Sequence, residues 1–150
     1  PYGIIGRVSK YDQLFRIVEK GKRGWICSDR QFPDIINLCL RHNILPSPDP
    51  NTEGSTKPQL LKRLSSFDFI EEDLSSRSTK ELRQILTLVG MTREQLCSMI
   101  QNWLDQKGYL FFFGEYFSVG GTVTEVLGEF AFFHRHVHDR FHVFDFDVRV

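Results

Sequence analysis

Residues 78–106, Ser-Thr-Lys-Glu-Leu-Arg-Gln-Ile-Leu-Thr-Leu-Val-Gly-Met-Thr-Arg-Glu-Gln-Leu-Cys-Ser-Met-Ile-Gln-Asn-Trp-Leu-Asp-Gln, read as two short helices joined by a tight Gly-Met turn. Ser78 and Glu81 have the spacing of a capping box, in which hydroxyl and carboxylate each accept the other residue's amide proton. Leu82, Ile85, Leu86 and Val89 recur at helical spacing and define the side to be buried, leaving Lys80, Arg83 and Gln84 towards water. Gly90 stands where a left-handed backbone carries no side-chain penalty, and Thr92 with Gln95 repeats the capping chemistry at once. Leu96, Met99, Ile100, Trp103 and Leu104 form the apolar face of the second helix, with Lys107 suited to its C-terminus and Gly108 as a stop. The expected unit is a helical hairpin.

Upstream, Leu14, Phe15 and Val18 place a helix over 11–20, capped by Ser9 and closed by Gly21. Lys20, Lys22 and Arg23 precede Trp25. The favoured reading is a solvated helix end with a core-facing Trp; the alternative is a patch that meets phosphate and a base or a lipid interface together. A second helix begins near Ser28 or Asp29, accepts Pro33 in its first turn, and turns Phe32, Ile35, Ile36, Cys39 and Leu40 inward. His42 and Asn43 end it, and a lone histidine in a last helical turn is assigned no chemistry. Residues 46–56, Pro-Ser-Pro-Asp-Pro-Asn-Thr-Glu-Gly-Ser-Thr, read as an exposed loop between two helical halves. Pro58 then opens a helix that buries Leu60, Leu61 and Leu64.

The pattern Thr79-Lys80-Glu81-Leu82, the Gly90-Met91 turn, Arg93-Glu94-Gln95-Leu96 and Trp103-Leu104-Asp105 resembles the LETM-type domain, named for leucine-zipper and EF-hand-containing transmembrane proteins. The resemblance extends upstream through Leu60, Leu61, Lys62, Arg63 and Leu64, then Ile70, Glu71, Glu72 and Leu74, and so covers residues 58–106. It implies a matrix-side helical domain of a mitochondrial inner-membrane protein that docks mitochondrial ribosomes, through protein or RNA, and supports ion homeostasis or membrane-protein biogenesis. No EF-hand accompanies it: Asp68, Glu71, Glu72 and Asp73 are irregularly spaced with no intervening glycine, and read as solvent-facing or helix N-terminal charges. Ribosomal phosphate would be met by exposed cations, for which Arg63, Arg77, Lys80, Arg83 and Arg93 are the candidates.

The 150 residues suit one domain, and its 19 basic and 19 acidic side chains cancel, so no global basic field argues for nonspecific nucleic-acid binding. Cys27, Cys39 and Cys97 lack paired metal-ligand spacing and read as buried reduced thiols. No run approaches the roughly 20 apolar residues that span a bilayer. The opening residue is Pro1, so the chain reads as a fragment whose targeting and membrane segments would lie upstream.

Ten of the 14 phenylalanines follow Lys107, where Lys, Ile, Asn, Gln, Pro, Cys and Met vanish. This Phe- and His-rich stretch, 108–150, reads either as a strand-bearing element, from the alternation over 141–150, or as an aberrant tail from a misassigned exon or another reading frame. His134, His136 and His138 would share one face of a strand and could ligate zinc, with His142, Asp139 or Asp145 completing the shell. Without a His-Glu-x-x-His spacing, a nucleophile signature or a phosphate loop at Gly120-Gly121, incidental histidines are favoured and neither enzymatic activity, cofactor nor metal is expected. The sequence thus implies a mainly α-helical bundle or right-angled helical array in a domain of residues 1–107, followed by that tail. Its preferred role is docking; the alternatives are a general protein-interaction domain and a His-cluster metal enzyme.

Overall fold

The computed structural model describes residues 4–6, 9–25, 27–112 and 115–119. The His134, His136 and His138 cluster with its partners, Gly120-Gly121 and the alternation over 141–150 all lie outside these residues. The fold is mainly helical. In chain order it comprises β1 (Ile4–Gly6), α1 (Asp12–Lys22), α2 (Phe32–Arg41), α3 (Lys57–Leu64), α4 (Thr79–Val89), α5 (Arg93–Gln106), β2 (Tyr109–Phe112) and β3 (Glu115–Val119), with single 3-10 turns at Ser9–Tyr11, Pro50–Thr52 and Leu74–Ser76.

The chain divides into two compact units. Gln13–Trp103 is the larger and holds α1 to α4 with most of α5; the other includes the antiparallel sheet, ordered β1-β3-β2, in which Tyr109 faces Ser118 and Phe112 faces Glu115. In the larger unit Leu14, Phe15, Ile36, Ile44, Leu60, Leu82, Ile85, Leu88, Leu96 and Ile100 are buried. Each such side chain withdrawn from water contributes about 1.5–3 kcal/mol before conformational entropy is subtracted.

Local chemistry sets the helix ends. Ser78 Oγ accepts from the Glu81 amide and Glu81 Oε1 from the Ser78 amide, both at 3.1 Å. Thr92 and Gln95 repeat the exchange before α5, and Thr56 and Gln59 do so before α3. Ser28 and Gln31 form the same reciprocal pair at 3.1 and 3.3 Å, but α2 begins only at Phe32. At the other end of α2, Asn43 takes φ 55°, its amide reaches Leu40 O, and the Ile44 amide returns to Cys39 O at 2.8 Å, satisfying two terminal carbonyls.

Four local expectations are corrected. Helix α1 runs through Gly21 to Lys22; Gly24, at φ +90°, reverses the chain, with the Trp25 amide returning to Lys20 O and the Gly24 amide to Gly21 O. Gly90 is not left-handed: its φ is −98° and its amide donates to Thr87 O at 3.1 Å. The buried stripe of α4 is Leu82, Ile85 and Leu88, while Leu86 and Val89 stay half-buried on its flank. Leu61 is likewise only half-buried, because an eight-residue helix turns Leu60 and Leu64 inward and leaves its neighbour at the edge.

The 46–56 segment is an exposed loop over most of its length and is hydrogen-bonded to α4. Gln84 Nε2 donates to Pro46 O, Thr87 Oγ1 accepts from the Asp49 amide, and Arg83 donates to Thr52 Oγ1 and Asp49 O. Thr52, held in the 3-10 turn that Asp49 caps, is 4% exposed. Asn37, buried on α2, ties down a second loop: its Nδ2 donates to Phe69 O at 2.8 Å and its Oδ1 accepts from the Glu71 amide at 3.1 Å.

Candidate partner-binding surface

The five candidate cations do not form one equivalent set. Arg77 lies at the foot of α4 with its side chain 12% exposed. Its guanidinium donates to both oxygens of Glu72 at 2.7 and 2.9 Å, to Glu81 at 2.9 Å, to Asn43 Oδ1 at 2.5 Å and to Leu40 O at 3.0 Å. The Glu72 hydrogen bonds, opposed by burial and reinforced by Glu81, push its pKa further up and hold it charged. The Ser78 backbone amide and then Arg77 draw the Glu81 carboxyl below its ordinary range. Arg77 is therefore a bracket between α2, α4 and the segment before α4.

Arg83 is turned onto Asp49 and Thr52, and Arg93 pairs with Asp29 while lying over the Phe32 ring at 5.9 Å. Arg63 and Lys80 differ. Both are exposed, and among the described residues neither guanidinium nor ammonium has a partner. They are the two candidates whose charge faces water without an internal task. Of the four acids compared with a calcium loop, Glu72 engages Arg77 and Asp73 caps the Leu74–Ser76 turn, its pKa lowered first by the Ser75 side chain.

Trp25 corrects the core-facing expectation. It is 52% exposed beyond the Gly24 reversal, with the Lys20 ammonium 5.3 Å from its ring centroid and Lys22 and Arg23 exposed nearby in sequence. Sequence periodicity cannot foresee this, because the turn after α1 sets the direction of the ring. A cleft of about 400 Å³ lies between α1 and α2, with Ile17, Ile35, Leu38 and Cys27 among its apolar lining and Arg16, Lys20 and Arg41 beside Asp34 and Glu71. Mixed charge gives it no single preference.

A second groove lies between the C-terminal end of α3 and that of α4. Phe67, Leu86 and Val89 supply its apolar wall, with Lys62, Arg63, Ser66 and Gly90 around them. The residues that sequence periodicity assigned to the core, Leu86 and Val89, thus border an open depression.

The three thiols are free and buried. Burial pushes Cys39 up to about 12; it also raises Cys27, partly offset by Arg93, and Cys97, partly offset by Lys22. None has the depressed pKa that activates a nucleophile. Among the described residues no group of His, Cys, Asp and Glu is placed to hold a metal, and no helix is long and apolar enough to cross a membrane. His42 lies 6.1 Å from Trp103, ring centre to ring centre. No family model, curated protein or solved structure matches the chain.

Proposed function

We propose that this chain is a non-catalytic docking domain, the matrix-side part of a LETM-like protein of the mitochondrial inner membrane, and that it holds mitochondrial ribosomes near that membrane. The observation that carries the reading is the ordered series of α3, α4 and α5 over the stretch that resembles the LETM-type domain, with both capping boxes of the α4–α5 hairpin formed. Arg63 and Lys80 are the residues assigned to ribosomal phosphate or acidic protein, since Arg77, Arg83 and Arg93 are engaged within the domain. Membrane attachment would come from a segment outside this chain, and the part played in ion homeostasis or membrane-protein insertion would follow from placing ribosomes at the membrane.

The test is co-sedimentation from isolated mitochondria of the tagged parent protein and its Arg63→Glu, Lys80→Glu double variant. The wild type is expected in the ribosomal fraction and the double variant in the free fraction. Wild-type protein absent from ribosomes, or a double variant that stays with them, would overturn the assignment. A general protein-interaction domain is the second reading, favoured by the apolar groove between α3 and α4.

A further inference from the structure

The groove at the ends of α3 and α4 is an open depression with a volume of about 540 Å³. Phe67, in the loop after α3, and Leu86 and Val89, on the flank of the α4 apolar arc, are each half-buried there. Gly90 adds an independent observation. At φ −98° it needs no glycine for its backbone, and a Cβ built on it would meet only Thr87 O at 3.7 Å and Leu86 O at 3.8 Å, ordinary contacts. A side chain can therefore be placed at this edge of the groove without straining the backbone.

The charges around the groove have one sign. Lys62 and Arg63 border it, both exposed, and among the described residues no carboxylate lines it. An apolar wall with a cationic rim is complementary to an amphipathic helix whose apolar side chains enter the groove and whose flanking residues are acidic. We propose that this groove binds an acidic amphipathic helix of a partner protein. Leu86 and Val89 would meet its apolar face, and Lys62 and Arg63 its carboxylates. The proposal needs nothing from the ribosome reading beyond a shared interest in Arg63, and Gly90 separates the two because it changes shape without changing charge.

The probe is a synthetic 16-residue helix-forming peptide with Leu and Phe on one face and Glu on the flanks, added to the isotope-labelled full chain and followed by amide NMR. The expected result is saturable shifts centred on residues 62–67 and 86–90. Affinity should fall about tenfold or more in Lys62→Glu, Arg63→Glu and in Gly90→Leu, the first by removing complementarity and the second by filling the groove. Helical circular dichroism of Gly90→Leu itself, with Gly90→Ala as the small-side-chain control, checks that the fold is kept. Equal binding of a peptide with Lys in place of Glu, shifts confined to other regions, or unchanged affinity in folded Gly90→Leu would overturn the proposal. So would a short RNA that displaces the peptide and produces the same shifts at Leu86 and Val89.

Discussion

Arg77→Met removes the guanidinium while keeping most of the stem volume, and so isolates the polar bracket. Five hydrogen bonds are lost, to Glu72 twice and to Glu81, Asn43 and Leu40 O. Charge-assisted bonds contribute about 1.5–3 kcal/mol each when well buried. Here Glu72 and Glu81 are 33% and 34% exposed at their side chains, so water recovers much of their loss. The Leu40 carbonyl, on a residue 2% exposed, keeps its bond from the Asn43 amide at 3.1 Å and loses only its second donor. The net expectation is a loss of about 2 kcal/mol, well below the simple sum, because both carboxylates reach water and the carbonyl keeps one donor. Urea unfolding followed by circular dichroism measures it, with the slope against denaturant unchanged. Arg77→Lys should recover less than half, because one ammonium cannot reproduce a fork aimed at two carboxylates and a carbonyl. A loss below about 1 kcal/mol for Arg77→Met, or full recovery by lysine, would refute the bracket as described.

Other consequences are independent of that site. Asn37→Leu leaves the Glu71 amide without its acceptor and Phe69 O without its donor, and should cost about 2–3 kcal/mol in the same urea assay. With burial raising all three thiols, the native chain should react slowly with a thiol-specific disulfide reagent at pH 8, Cys27 on the cleft wall ahead of Cys39, and yield three equivalents in guanidinium. Glu81 and Asp73 have folded pKa values below their ordinary 4.5 and 3.8, so their contribution is present above those values and is lost as pH falls through the lower folded ones. The urea midpoint should accordingly drop steadily below about pH 4.5, and less steeply in Glu81→Gln.

The legible part of this fold is its local chemistry. Ser78 with Glu81 and Thr92 with Gln95 mark helix starts because donor and acceptor lie three residues apart, and the structure forms both boxes. The stripe on α4 was less determinate: Leu82, Ile85, Leu86, Leu88 and Val89 make an apolar arc broader than the side that α4 buries. Spacing cannot choose which edge of such an arc faces inward. Arg77 was legible as a cation and not as a bracket, since Asn43 and Leu40 lie 34 and 37 residues before it and are brought near only by the end of α2. The same holds for Arg83, which meets a loop 31 residues upstream at Thr52. Charge alone thus nominated five docking cations, while burial and partners separate Arg63 and Lys80 from the rest. Trp25 escaped because the left-handed turn at Gly24, rather than helical periodicity, places it outside.

The most direct test of the docking account is the affinity of the purified full chain for mitochondrial ribosomes across a salt series, read by quantitative co-sedimentation. The account predicts binding that weakens with salt, and a slope of log affinity against log salt reduced by about one for each of Arg63→Glu and Lys80→Glu if each meets a phosphate. Absence of binding at low salt, or a slope that neither substitution changes, would contradict it.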